Sequence, residues 1–252
     1  MSELLKSIEQ YWTKRAPSYS DYVLKTVGND WEELWVETLT ANFPEESEEP
    51  LRVLDIGTGP GYFALIFAKR GFDVTAVDYS GGMLEIAKKN AGEFASAITF
   101  ARMDAHCLEF DDNSFDVIVT RNLTWNLEDP ARAYADWLRV LRPGGRLLNY
   151  DANWYAYLFD ENKNMEYERD RMNTIRKGVT DHSYYEDGKI MEGISANLPL
   201  GRLNRPQWDM VTLLNLGFSK VSVDTTISNI LLNDEEKINY ASTPGFLICA
   251  EK

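Results

Sequence analysis

Apolar residues recur along this chain with two different spacings, and the spacing changes at glycines. Leu51 to Ile56 (LRVLDI) is an apolar run long enough for a buried strand and too short for a typical helix. Glycines follow at alternate positions, Gly57, Gly59 and Gly61. Phe63, Ile66, Phe67 and Arg70 then recur at three- and four-residue steps, a helix that Gly71 closes. Val74 to Val77 is a second buried strand, and it ends on Asp78. Strand, glycine turn, helix, strand and acid make half of a nucleotide-binding α/β fold.

Upstream, Leu4, Leu5, Ile8 and Trp12 recur at helical steps with Tyr11 beside them, and Pro17 should stop that helix. A second helix is expected from Asp30 to Asn42, with Trp31, Leu34, Trp35 and Leu39 as its apolar face. The acidic segment Pro44 to Pro50 (PEESEEP) is a solvated linker into the first strand. Downstream of Asp78, Ser80 is the N-cap of a helix that turns Met83, Ile86 and Ala87 inward. Ile98 to Ala101 is a short third strand leading to Met103, Asp104 and Ala105, and His106 follows in a loop, where its role is left open. Phe115 to Thr120 is the fourth strand, and its end sets Arg121, Asn122 and Trp125 at the carboxyl edge of the sheet. Pro130 opens a helix, Ala131 to Leu141, that buries Tyr134, Trp137, Leu138 and Leu141. Pro143, Gly144 and Gly145 form a turn into a fifth strand that ends near Asp151.

Residues 152–207 depart from this alternation. They are polar and rich in aromatics, among them Trp154, Tyr155, Tyr157, Phe159, Tyr167, Tyr184 and Tyr185. Aromatic side chains with a few placed polar groups are the usual lining of ligand pockets, although some of these rings will simply pack on the sheet. Trp208 to Leu216 is the next helix with Gly217 its cap, and Lys220 to Thr226 and Gly245 to Glu251 are two last strands joined without a helix.

The glycine turn limits the ligand. Glycines tolerate positive φ and let backbone approach a ligand, and Asp78, about twenty residues on, stands where ribose hydroxyls need an acceptor. The dinucleotide fingerprint needs Gly or Ala where Tyr62 stands, and a P-loop needs Lys and Ser/Thr where Tyr62 and Phe63 stand. A nicotinamide oxidoreductase and a phosphate-cradling NTPase are both disfavoured.

Composition adds boundaries. The chain has 252 residues, 44% of them apolar, enough for one α/β domain with insertions or a domain plus a cap. A net charge of −14 with no basic patch argues against a nucleic-acid partner. Cys107 and Cys249 are far apart, without metal-ligand spacing, and are expected as free thiols; no metal is expected. The first residues are polar, and no run of 18 apolar residues exists, so a soluble, cytoplasmic protein is expected.

The turn with Asp55 on the strand before it resembles motif I of the class I S-adenosylmethionine-dependent methyltransferases. FDVIV, a helix, then RVLRPGGRLL is similar to the second half of that core, so the resemblance covers Leu51 to Asp151 in order. It implies a three-layer α/β/α doubly wound, Rossmann-like sheet of seven strands with an antiparallel last strand. An N-terminal helical lid (residues 1–50) and a methyltransferase core (51–252) with a substrate cap after the fifth strand (152–207) complete the expected organisation. The segment EQYWTKRAPSYSDY resembles the piece that many small-molecule methyltransferases fold over the cofactor, with Tyr19 where they carry a Tyr; a helix that merely covers the sheet edge is the alternative.

The cofactor implied is S-adenosyl-L-methionine, leaving as S-adenosyl-L-homocysteine, and the acceptor is a small molecule. Asp55, Gly57, Thr58 and Gly59 would surround the methionine part, and Asp78 and Tyr79 the ribose. In the family's pattern Met83 packs on the adenine, Asp104 takes its amino group, and Met103 and Ala105 flank it. Tyr19 and Arg121 complete the cofactor set. Trp125, Trp154 and Tyr155, with Arg121, would build the acceptor side, unless Trp125 packs in the core beneath the following helix. Methyl transfer from a sulfonium needs mainly orientation and exclusion of water, with a base only if the acceptor is protonated. Asp151, Tyr19 and His182 are candidate bases. A cofactor-binding regulator or structural partner that has lost turnover is the other reading. The atom methylated and the oligomeric state are not readable in the sequence.

Overall fold

The computed structural model describes residues 2–24, 27–45, 49–183 and 187–252. Tyr184, Tyr185 and the middle of the acidic linker lie outside the described residues. The centre is one seven-stranded sheet: β1 (Arg52–Ile56), β2 (Asp73–Asp78), β3 (Ile98–Arg102), β4 (Phe115–Arg121), β5 (Leu141–Asp151), β6 (Lys220–Asp224) and β7 (Phe246–Glu251). Their order is β3-β2-β1-β4-β5-β7-β6, with β7 antiparallel to both β5 and β6 and the other pairings parallel. Chain order reverses between β1 and β4, which puts a switch-point crevice at their carboxyl ends, beside the glycine turn and Arg121.

Alternate residues of each strand feed two cores. Val53, Val74, Val117, Val119 and Leu148 face α2 (Asp30–Thr40) and α3 (Tyr62–Ala68), whose Trp35, Leu39, Phe63 and Phe67 are buried against them. Leu54, Ile56, Ile118 and Leu147 face α5 (Pro130–Val140) and α8 (Gln207–Leu216), which contribute Tyr134, Trp137 and Leu213. That is the three-layer arrangement the sequence predicts. No described helix is long and apolar enough to cross a membrane.

Three local expectations differ. Pro17 does not stop the first helix: α1 runs Glu3–Val23 with Pro17 inside it. Proline there removes one helical N–H, but Ala16, Ser20 and Val23 are all buried, and tertiary burial outweighs that loss. Pro143, Gly144 and Gly145 lie within β5, at a register shift opposite β4 rather than in a separate turn. Their edge is held by the chain end, where Gly144 N donates to Lys252 O at 3.0 Å and Lys252 N to Gly145 O at 3.0 Å. Two short helices, α9 (Ser228–Leu231) and α10 (Asp234–Asn239), join β6 to β7 where no helix is expected. Asn233 and Glu236 form a reciprocal capping box at the start of α10.

The insertion after β5 holds a 3-10 turn at 156–158, α6 (Glu161–Lys177) and α7 (Gly188–Ser195). A third core joins it to α1: Ile8 and Tyr11 pack with Trp125, Met191, Ile194 and Leu198. α1 is also tied to α4 (Gly81–Ala91), with Thr13 Oγ1 2.8 Å from the hydroxyl of Ser80, the N-cap of α4.

Candidate functional site

The glycine turn is shaped by two acids. Asp55, on β1, is buried; it accepts from Thr58 Oγ1 at 2.6 Å and from Ala64 N at 3.1 Å, pinning the start of α3 to the strand. Asp78, at the end of β2, accepts from Gly59 N at 2.9 Å and from Ser80 N at 2.8 Å. Burial pushes Asp55 up to about 7 and Asp78 up to about 6, because an apolar surround disfavours the charged form.

A cleft of about 810 Å³, counted to its open mouth, lies in front of this turn. Gly57, Gly59, Asp78, Tyr79, Met83, Met103, Asp104, Ala105, Tyr19 and Arg121 all line it, and Leu5, Ile8 and Trp12 of α1 close one side. Asp55 and Thr58 do not line it. They stand behind the turn at a smaller cavity of about 350 Å³, which Tyr19 and Arg121 also reach. Gly57 and Gly59 take φ of 67° and 52°, the left-handed region glycine tolerates.

His106, whose role the sequence leaves open, lines the same cleft. It is buried; its Nδ1 lies 2.6 Å from Asp104 Oδ1, and its Nε2 accepts from Asp129 N at 3.2 Å. That second bond fixes the neutral tautomer with hydrogen on Nδ1. Burial alone would raise the Asp104 carboxyl, but bonds from the His106 ring and backbone outweigh it and hold it low. Asp104 therefore reaches the cleft as a carboxylate braced by its neighbour.

Arg121 stands at the carboxyl end of β4. Its guanidinium carbon lies 4.6 Å from the centroid of Trp35 and 5.4 Å from that of Tyr62. Its Nε and Nη1 are buried without a hydrogen-bond partner in the structure. Next to it, Asn122 sits at φ 55°, with its N–H donating to Tyr150 O at 2.8 Å and its buried Oδ1 unpartnered.

A second cavity, about 1470 Å³ counted the same way, adjoins the first. Trp12, Tyr19, Arg121 and Asn122 line both, so they form the wall between the two. Trp125, Trp154 and Tyr155 line the second cavity, as does His182. Trp125 also packs in the core between α1 and α7, and not in the core beneath the following helix α5 that was the alternative expected of it. Tyr157 and Tyr167 from the insertion stack at 4.0 Å and 9° on the same cavity. Phe159 does not reach it and instead faces the Arg202 guanidinium at 4.2 Å.

Asp151 is not available as a base. It is fully buried and lines neither cavity. Its Oδ2 accepts from Thr124 Oγ1, from Trp125 N at 2.9 Å and from Arg205 Nη1 at 2.8 Å. Its Oδ1 accepts from Ala152 N at 2.9 Å and Trp154 Nε1 at 3.2 Å. With five donors on two oxygens, it positions the two tryptophans of the cavity wall rather than touching a ligand.

Sequence reasoning missed several lining residues: Tyr22 from α1, Glu192 from α7, and Glu236 and Tyr240 at α10. The signal for α10 was present, since Asn233 followed three residues later by Glu236 is a capping-box spacing.

Residues 54–149 match the family model described as a methyltransferase domain. The chain is 39% identical over 127 residues to the demethylmenaquinone methyltransferase of Clavibacter sepedonicus, covering 50% of this chain and 49% of that protein. It is 33% identical over 109 residues to a ubiquinone biosynthesis O-methyltransferase of Coxiella burnetii, covering 42% and 47%. The chain thus spans about half the length of the curated relatives it matches. Among solved structures, Haemonchus contortus phosphoethanolamine N-methyltransferase 2 aligns with TM-score 0.66 at 19% identity, over 100% of this chain and 60% of that one. An S-adenosylmethionine-dependent methyltransferase fold from Methanococcus maripaludis aligns with TM-score 0.60 at 23% identity, over 95% and 93%. Residues 54–149 thus carry a methyltransferase domain, and the seven-stranded sheet with its antiparallel β7 has the fold of the solved structures it resembles.

Proposed function

We propose that this protein transfers a methyl group from S-adenosylmethionine to a small aromatic molecule. The observation that carries the proposal is the meeting of two cavities at a shared wall of Trp12, Tyr19, Arg121 and Asn122. A two-reactant transfer needs two adjoining sites shielded from water, and it gains most of its rate from that positioning.

The residues of the first cleft fit the cofactor on their own chemistry. The unpartnered buried guanidinium nitrogens of Arg121 suit the carboxylate of its methionine part. The Asp78 carboxylate suits the ribose hydroxyls, and Met83, Met103 and Ala105 offer an apolar slot for the adenine, with Asp104 at its edge. When bound, S-adenosylmethionine supplies an already activated methyl group. Asp55 and Thr58 hold the shape of the turn, and α1 acts as a lid whose Trp12 and Tyr19 exclude water from both sites. Trp125, Trp154 and Tyr155 hold the acceptor. The aromatic lining, together with relatives named for demethylmenaquinone and ubiquinone biosynthesis, supports a ring-shaped acceptor. The net charge of −14 supports a small-molecule partner rather than a nucleic acid, and a cytoplasmic setting is part of the same proposal.

Release of S-adenosylhomocysteine, measured across a panel of hydroxylated benzenes and naphthalenes, tests it. Acceptor-dependent release is expected. Tight cofactor binding with no release on any acceptor would favour a regulatory protein that binds the cofactor without turnover.

A further inference from the structure

One side of the larger cavity carries a chain of titratable groups that cofactor binding leaves unused. His182 Nε2 lies 2.7 Å from Glu235 Oε1, and the Glu235 side chain is 40% exposed to solvent. The other ring nitrogen, Nδ1, lies 3.5 Å from the Tyr240 hydroxyl. The backbone N–H of His182 donates to Asn239 Oδ1 at 2.9 Å, and Tyr22 meets the imidazole edge-on at 5.2 Å, so the ring is held on several sides.

These contacts assign the protons. An ionised Glu235 only accepts, so Nε2 carries the hydrogen and Nδ1 keeps its lone pair toward Tyr240. The groups around the imidazole are Glu235, Glu236 and Tyr240 at α10, Tyr22 from α1, Asp181 beside it, and Arg171 from α6, which pairs with Asp181. Arg171 is neutralised by that pairing, and Glu235 remains to stabilise a charged imidazole.

The acids of the cavity are otherwise engaged. Glu236 accepts from Tyr22 at 2.8 Å and Asn233 N at 3.0 Å, Glu192 accepts from Tyr157 at 2.9 Å, and Asp181 holds Arg171. A flat ring finds the face of the Tyr157–Tyr167 stack and the indoles of Trp125 and Trp154.

We propose that Tyr240 and His182, backed by Glu235, take the proton of the methyl acceptor, and that this acceptor is an aromatic hydroxyl compound. The inference rests on the methyl-transfer function proposed above. The acceptor oxygen bonds the methyl carbon and loses its proton to the Tyr240 oxygen, while the Tyr240 proton passes to His182 Nδ1. The bonding pair of the broken sulfur–methyl bond returns to sulfur. Glu235, at the surface, then lets the imidazolium proton exchange with water.

The test uses 4-nitrophenol, whose phenolate is coloured, titrated against the full chain saturated with S-adenosylhomocysteine. The bound phenol should ionise at least about one pH unit below the free phenol, a tenfold change in its acidity. His182→Gln and Tyr240→Phe should each abolish that shift while calorimetry shows unchanged affinity for S-adenosylhomocysteine. A shift that survives His182→Gln, or 4-nitrophenol that does not bind or binds without a shift, overturns the inference. Failure of the wild-type protein to bind S-adenosylhomocysteine would instead overturn the methyl-transfer function beneath it.

Discussion

Arg205 donates to Asp151 at 2.8 Å where neither side chain reaches solvent, and it also clasps Asp209 through Nε at 2.8 Å and Nη2 at 2.9 Å. Tyr134 extends the network, donating to Asp209 at 2.6 Å. This buried ion cluster sits beneath the wall that carries Trp125 and Trp154, and it sets where that wall stands.

Replacing Arg205 with Met should therefore damage folding before chemistry. Two buried carboxylates would lose their counter-ion, a change that typically costs about 3–5 kcal/mol. Urea unfolding should show the loss. A variant as stable as wild type would mean the cluster is not what holds the wall.

Trp125 lies 9% exposed between the cavity and the core, its ring 5.0 Å from that of Tyr155. Trp125→Ala should cost about 3–5 kcal/mol of stability and also lower acceptor-dependent turnover at saturating cofactor. Loss of turnover alone would make it purely a pocket residue, and loss of stability alone purely a core one.

Gly57 and Gly59 should separate on substitution. A Cβ at Gly57 would stand 2.7 Å from Leu123 Cδ1, whereas one at Gly59 meets nothing nearer than 3.9 Å. Both positions have positive φ, so Val at either incurs backbone strain of about 1–3 kcal/mol. Gly59→Val should remain folded and lose affinity for S-adenosylhomocysteine, while Gly57→Val should melt lower still. Thermal scans and calorimetry on the two variants decide it, and equal melting points would refute the clash with Leu123.

The raised Asp55 carries a pH signature. Its folded value of about 7 exceeds the ordinary 3.8, so the stability it contributes is fully present below that ordinary value and is lost as pH rises toward 7. Asp55→Asn keeps a neutral side chain at every pH. The melting point of the variant relative to wild type should therefore climb between about pH 4 and about pH 7 and level off above that. A constant or falling difference would show that Asp55 ionises without cost.

The sheet and its crevice were legible because each βα unit is written in consecutive residues. The LRVLDI strand, the three glycines and Asp78 lie within one stretch, and local spacing alone aligns Gly59 with the Asp78 carboxylate. The acceptor side was not legible for the opposite reason. His182 and Glu235 are 53 residues apart, and Asp151 and Arg205 are 54, so only the folded chain joins them. Asp151 looked like a base at a strand end because its five donors come from three stretches of the chain, around 124, 153 and 205. Pro17 misled because burial of Ala16 and Ser20 decides that helix, and a single proline does not.

The carboxylate of Asp78 is the proposed acceptor for the ribose in the cleft before the glycine turn. Calorimetric titration of S-adenosylhomocysteine into wild type and Asp78→Ala tests this most directly. Wild type should bind in the micromolar range at neutral pH, a typical scale for enzyme ligands, and weaken as pH falls through about 6 and Asp78 takes up a proton. The variant should bind about tenfold more weakly or worse, because unpaired ribose hydroxyls typically cost about 1–3 kcal/mol. Equal affinity in the two proteins, or no binding to wild type at all, would contradict the account.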